Sequence, residues 1–313
     1  MNMLALAGPT GIGKTELAAE LARRLPAEIV AVDSMQVYRG LEIGTGKPPA
    51  RLREEIPHHG LDLAEPAEEF DVLRYVEEVS PAIREIERRG KWVLLVAGCG
   101  LYLRVLLRGL CGAPGGDAAL RERLRAEGER EGWNRLHARL REVDPEAAVR
   151  IHPNDAKRMI RALEVYESSG RPISQWQSRT EPIDPRWAEC PVIGLECERE
   201  WLYRRIEERV DGWLADGWLE ETRNLLRGPV SRTAREALGY RELFEHLEGD
   251  RDWDSTRELI RKNSRRYARR QWSWFRGEPR VRWVRVREGA KPAETAAGIL
   301  SLALGAHKTQ GDG

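Results

Sequence analysis

Two features of the chain could do chemistry on a phosphate ester. The stretch GPTGIGKT comprises Gly8, Pro9, Thr10, Gly11, Ile12, Gly13, Lys14 and Thr15 and fits the pattern Gly-x4-Gly-Lys-Thr. Glycines at this spacing let successive backbone N–H groups turn inward around a chain of phosphates. A helix starting at the loop adds roughly half a positive charge. Lys14 would neutralise the terminal phosphates, and the Thr15 hydroxyl would hold Mg²⁺. The second feature is Asp33, which follows the apolar run EIVAV at 28–32. A carboxylate there could ligate a metal for phosphoryl transfer, accept a proton from a nucleophile, or merely cap the turn DSMQVYRG. The loop specifies a phosphate chain and is silent about what is attached to it.

The elements that must position these groups follow from periodicity. Residues 3–7 (MLALA) form a short apolar run before the loop, and ELAAELARRL after it places Leu17, Leu21 and Leu25 at helical spacing. EIVAV, WVLLVAG (92–98) and PVIGLEC (191–197) are further compact apolar runs, and DVLRYVEEVSPAIREIERRG is amphipathic. Apolar strands alternating with helices predict a parallel sheet covered on both faces, with ligands at the carboxyl ends of its strands. Gly8–Thr15, Asp33 and Cys99 all fall there. After GAPGGD (112–117), residues 118–169 carry helical patterns and no strand, and PISQWQSRTEPIDP (172–185) reads as a return linker. The expectation is an α/β protein: a P-loop NTPase-like parallel sheet with helices on both faces, plus a small all-helical insertion domain. The core would comprise 1–113 and 185–313, and the insertion 114–184. The polar tail after Gly305 is the only low-complexity feature.

Bulk composition narrows the partners. The net charge is +1 over 313 residues, but from Arg257 to Glu288 there are twelve Arg or Lys against three Glu, which points to a polyanionic partner. The longest apolar run, Trp92 to Leu103, is too short and glycine-rich to cross a bilayer. No basic region precedes the first apolar residues, so no secretory signal is expected. Cys99, Cys111, Cys190 and Cys197 fit no C-x-x-C spacing, and a reduced, cytoplasmic protein is the expectation.

Six motifs in order carry a resemblance. GPTGIGKT, VDSMQVYRGLEIGTGKP, PHHGLD, AGCGLYL, IHPNDAKRMIRALEV and GYRE together resemble the bacterial tRNA dimethylallyltransferases, with matches running from Gly8 to about Gly277. The resemblance implies transfer of a dimethylallyl group from dimethylallyl pyrophosphate to N6 of adenosine 37, beside the anticodon of tRNA. The phosphate chain is then the leaving group and no ATP is needed. It implies that Asp33 is the base, and that Arg205 and Arg209 in WLYRRIEERV face the pyrophosphate; four residues apart, they share one helix face. Those arginines could alternatively pair with Glu207 or Glu208 at the surface. The family usually reads Gly-Gly-Thr-Gly at the third strand's end, where this chain reads Ala97-Gly98-Cys99-Gly100. Cys99 would then occupy the place of a threonine hydroxyl near the substrate's bridging oxygen, as a weaker donor. His58 and His59 are assigned no metal.

The resemblance also implies the tRNA contacts. Ser34, Met35 and Gln36 after Asp33, and Gly239, Tyr240 and Arg241, match family segments near the target nucleotide, as does Cys99. Arg121 and the segment Lys157, Arg158, Met159, Ile160 and Arg161 match positions that touch the anticodon stem-loop. Independently of the family, Arg257, Arg261, Arg265 and Arg269 form one i, i+4 ladder, and Lys262, Arg266 and Arg270 another. With few acids nearby, they predict a basic stripe for a phosphate backbone. Tyr267, Trp272 and Trp274 interleave it, and the two tryptophans read as core residues. A monomer without membrane association is expected. Two rivals remain at this level: a P-loop kinase for a nucleoside or small metabolite, and a nucleotide-gated RNA-binding protein without chemistry. The second lacks an Asn-Lys-x-Asp element.

Overall fold

The computed structural model describes residues 2–114, 116–178 and 180–305; the polar tail after Gly305 lies outside the described residues. The chain divides into two compact units, one of residues 108–185 and the other of the chain on either side.

The first unit begins with β1 (Met3–Ala7), α1 (Lys14–Arg24), β2 (Ala27–Val32), α2 (Ala50–Glu55), β3 (His58–His59), α3 (Val72–Arg88), β4 (Trp92–Ala97) and α4 (Gly100–Arg108). The second unit is helical: α5 (Ala118–Glu131), α6 (Trp133–Val143), α7 (Pro145–Arg150), α8 (Ala156–Ser169) and α9 (Ile173–Gln177). The chain then completes the first unit with β5 (Val192–Glu196), α10 (Arg199–Ala215), α11 (Trp218–Leu225), α12 (Arg232–Arg235), α13 (Tyr240–Leu247), α14 (Trp253–Arg276), β6 (Val281–Arg285) and α15 (Pro292–Gly305).

All six strands are parallel, in the order β3-β2-β4-β1-β5-β6. The chain leaves β1, skips one position to β2, and fills the gap later with β4. In register, Ile29 lies beside Leu94 and Leu94 beside Leu4. Every second residue of a strand shares a face, so Leu4, Leu6, Ile29, Leu94, Ile193 and Leu195 pack into one cluster with Leu17, Ala18 and Leu21 of α1 and Ala296 and Ile299 of α15. Each fully buried Leu or Ile contributes roughly 1.5–3 kcal/mol. Beside β2 and β4 lies α3, started by the Asp71 carboxylate accepting from Leu73 and Arg74 amides, with Tyr75, Val79, Ile83 and Ile86 buried. The helical unit has its own core of Leu124, Leu136, Leu140, Met159 and Leu163. There α8 begins at the Asp155 side chain and ends at Gly170 in the left-handed region.

Two elements depart from the sequence expectation. Residues 173–177, expected as linker, form α9, with Ile173 and Ser174 buried. VRWVR, expected only as part of a basic region, is the edge strand β6, with Arg282 and Arg285 exposed. Gly60 interrupts PHHGLD because its φ is +80° and a Cβ there would lie 2.5 Å from the Ala31 carbonyl oxygen. Among the described residues no helix is long and apolar enough to cross a membrane.

Candidate active site

The loop after β1 opens into a cavity of about 1310 Å³ at the carboxyl edge of the sheet. Gly11 and Gly13 have φ of +86° and +95°. These values are accessible at low cost only to glycine, and they let the loop turn tightly over the start of α1. Lys14 Nζ donates to the carbonyls of Gly8 and Pro9 at 2.8 and 2.9 Å, leaving one of its three protons uncommitted. Thr15 lines the cavity at the first turn of α1.

Two arginines of α10 complete this pole. Arg205 and Arg209 both line the cavity, and the Arg209 guanidinium donates to Thr10 Oγ1 and lies 4.4 Å over the Trp213 ring. Arg209 Nε is buried with no hydrogen-bond partner. The surface alternative therefore fails for this pair: Glu207 is taken by Arg265 of α14 instead. Burial and then the Arg209 charge pull the Lys14 ammonium down to about 8, against the opposing pull of Asp33 and Glu16. Burial also brings Arg209 down to about 10, with Arg205 adding to the effect and Glu16 opposing it. Three cations line this end of the cavity, where Glu16, Asp33 and Glu208 also lie without bonding to them. A buried guanidinium N–H without an acceptor is a donor that an oxyanion such as a diphosphate would satisfy.

Asp33 directly follows β2 and lines the same cavity. Its Oδ1 accepts from the amides of Met35 at 2.8 Å and Gln36 at 3.4 Å. Burial raises its pKa, while those amides and Lys14 pull the other way. The end of β4 presses close: Gly98 and Cys99 amides both donate to Val32 O, and a Cβ on Gly98 would stand 2.5 Å from Asp33 Oδ2. Burial pushes the Cys99 thiol up to about 11, with Ser34 opposing, so it stays a neutral thiol beside the carboxylate. For Mg²⁺, the described residues contain no cluster of three or more acids, histidines or cysteines. The donor set at Thr15 fits a hard cation held by one hydroxyl and mainly by the oxygens of its phosphate ligand and water.

Some site residues carry no legible signal in the sequence. Gln271 of α14 accepts from the Thr10 amide at 2.8 Å and donates to Gly98 O at 2.7 Å. Glu221 of α11 accepts from the amides of Glu42 and Ile43 and from the Tyr240 hydroxyl, fixing the 42–47 turn over the cavity. Gln36 adds two bonds from its amide to Thr45 and Gly46 carbonyls at 3.0 and 3.2 Å. Only tertiary packing brings Gln271 and Glu221 to their partners.

The expected RNA-facing residues are sorted by burial. Tyr240 is wholly buried, its hydroxyl also accepting from the Gly44 amide, so its side chain serves the turn and cannot reach RNA. Gly239 has φ +86° against the Trp218 ring, which leaves Arg241, half-exposed and paired with Glu242, to face outward. In the helical unit, Met159 and Ile160 are core residues, which removes both side chains from any outside contact. Arg121 and Arg161 are bound to the fully buried Glu164 at 2.8 Å each, and only Lys157 and Arg158 of that segment are exposed. The predicted stripe on α14 is also half-occupied. Arg257 and Arg261 pair with Asp211, and Arg265 with Glu207, acids supplied by α10 that local sequence does not reveal. Lys262, Arg266, Arg269 and Arg270 are exposed, with Arg270 over the Tyr267 ring. Trp272 is buried and Trp274 half-buried.

Comparison with known proteins assigns the chain. The IPP transferase family model matches residues 36–278, and the isopentenyl transferase model residues 1–56. A tRNA dimethylallyltransferase of Geobacter metallireducens is 47% identical over 285 residues, covering 90% of this chain and 92% of its own. The crystal structure of the full-length tRNA isopentenylpyrophosphate transferase from Bacillus halodurans superposes with a TM-score of 0.71 at 34% identity, covering 99% of both chains. A eukaryotic dimethylallyltransferase captured acting on tRNA gives a TM-score of 0.78 at 25% identity, over 99% of this chain and 80% of that one. With its P-loop NTPase-like sheet, this chain belongs to the IPP transferase family.

Proposed function

We propose that the chain transfers a dimethylallyl group from dimethylallyl pyrophosphate to N6 of adenosine 37 in the anticodon stem-loop of tRNA, releasing pyrophosphate. Transfer of a prenyl group to tRNA follows from the family, and displaces the kinase reading. The observation that carries the finer reading is the pairing of a cation-rich loop with a desolvated carboxylate across one cavity. A leaving diphosphate needs the first, and a weakly nucleophilic exocyclic amine needs the second.

In the reaction N6 attacks the allylic carbon, whose bond to the diphosphate oxygen breaks with the electron pair leaving on oxygen. The N6 proton passes to the Asp33 carboxylate, an assistance typically worth about 10²–10⁴-fold. Lys14, Arg205, Arg209 and the amides from Gly11 to Thr15 stabilise the charge growing on the departing diphosphate. Thr15 would hold Mg²⁺, which when bound offsets part of that charge. The adenine must leave its stack to reach Asp33, at a cost of a few kcal/mol. Lys157 and Arg158 in the helical unit, and Lys262, Arg266, Arg269, Arg270 and Arg241 in the α/β unit, supply exposed cations for the RNA backbone. We place this activity in a cytoplasmic monomer.

The test is incubation with tRNA, labelled dimethylallyl pyrophosphate and Mg²⁺ without ATP, followed by nucleoside analysis. Label on adenosine 37 is expected. Unlabelled RNA, or a requirement for ATP, would refute the reading.

A further inference from the structure

Gln271 stands between the two halves of the site. Its side chain, 6% exposed, joins the phosphate loop at the Thr10 amide to the end of β4 at the Gly98 carbonyl. Only one orientation of the amide serves both: Oε1 must accept from Thr10, and Nε2 must donate to Gly98. Gly98 in turn abuts Asp33 Oδ2, and Thr10 carries the hydroxyl that Arg209 grips. The Thr10 N–H is thereby committed to α14. The β1–β4 ladder, which ends with Ala7 beside Ala97, joins the bases of the loop and of the β4 end; beyond it the loop is held by α10 at Thr10 and the β4 end by β2, and Gln271 is the side chain that bridges the two.

We infer that Gln271 is a positioning residue that sets the spacing between the departing diphosphate and the proton-accepting carboxylate. The inference rests on the prenyl-transfer reading. It requires no contact between Gln271 and either substrate. Reaction needs the amine, allylic carbon and leaving oxygen in line, and a misplacement of about 1 Å can cost about 10²-fold in rate. Loss of the bridge lets the two halves drift without removing any group that binds substrate. The effect therefore falls on kcat and leaves KM for either substrate nearly unchanged.

The experiment compares the parent chain with Gln271→Met and Gln271→Glu in single-turnover transfer from labelled dimethylallyl pyrophosphate to tRNA, with thermal unfolding of each protein. Gln271→Met, close in shape and unable to bridge, is expected to lose about 10–100-fold in rate at saturating substrate, with KM values within threefold. Gln271→Glu keeps the acceptor for Thr10 and regains a donor for Gly98 only when protonated. Its rate relative to the parent is expected to climb as pH falls from 8 to 6. Three outcomes overturn the inference: a Gln271→Met rate within threefold of the parent, a loss matched by the unfolded fraction, or a loss confined to KM. A pH-independent ratio for Gln271→Glu also counts against it. Failure of the parent itself to transfer label would refute the reaction and leave the bridge aside, so the two failures are distinct.

Discussion

Both units gather arginines, and the two gatherings have opposite meanings. In the helical unit Arg121 and Arg161 converge on Glu164, which also accepts from the Asp117 amide at 2.7 Å. That carboxylate is fully buried. Burial pushes its pKa up, yet the bonds from Arg161, the Asp117 amide and Arg121 outweigh this and hold it low. Charge is balanced inside the protein, and the cluster stabilises structure. At the phosphate loop Lys14, Arg205 and Arg209 converge with no carboxylate bonded to them, and burial lowers the basicity of Lys14 and Arg209. That imbalance costs stability in the unliganded protein and is recovered when an anion arrives. Helix α14 repeats the contrast on one element: Arg257, Arg261 and Arg265 are balanced by α10, whereas Lys262, Arg266 and Arg269 are not. The cations that lack an internal partner are the ones the proposed function assigns to diphosphate and RNA.

Substitutions on the two sides should separate cleanly. The largest effect is expected from Asp33→Ala, the acid opposite the loop: transfer falls about 10²–10⁴-fold while tRNA binding persists. Near-normal single-turnover rates would remove Asp33 from its role. Next, Arg209→Met should raise KM for dimethylallyl pyrophosphate about 10–100-fold, the worth of a charge-assisted hydrogen bond of roughly 1.5–3 kcal/mol. The melting temperature of the unliganded variant should not fall, because a poorly compensated charge is gone. Glu164→Gln should do the reverse, costing about 1–3 kcal/mol of stability with KM for the diphosphate unchanged. A KM effect from Glu164→Gln, or a stability loss from Arg209→Met, would break the contrast. The smallest effect is Cys99→Thr, for which turnover should hold or rise, since a hydroxyl donates better than a neutral thiol. A large loss would contradict its placement near the leaving oxygen.

What the sequence disclosed was local. The loop, β1 and α1 were legible because phosphate-cradling glycines, an apolar run and a 3.6-residue period sit side by side in 23 residues, 3–25. Asp33 and Cys99 were legible as residues just past strand ends. What stayed hidden depends on partners far along the chain. Gln271 meets Thr10 across 261 residues, and Glu221 meets the 42–47 turn across about 180. Neither residue type is unusual at the surface of a charged helix. The second ladder of α14 looked the same as the first until α10 supplied Asp211 and Glu207. Strand β6 was masked by its own arginines, which project from a sheet edge instead of from a helix.

Proton linkage offers the most direct test of the uncompensated pole. Lys14 titrates near 8 in the free protein, below its ordinary 10.5, so its charge destabilises the unliganded fold below pH 8. Stability from this group rises between 8 and 10.5, where only the unfolded chain stays protonated. A diphosphate binds the charged form, so affinity should fall by up to about tenfold per pH unit above 8. Calorimetric titration with dimethylallyl pyrophosphate at pH 8.5, in buffers of different ionisation enthalpy, measures the coupled protons. The account predicts uptake of roughly 0.7 proton per site, abolished in Lys14→Met. No uptake, release, or uptake that survives Lys14→Met would contradict it.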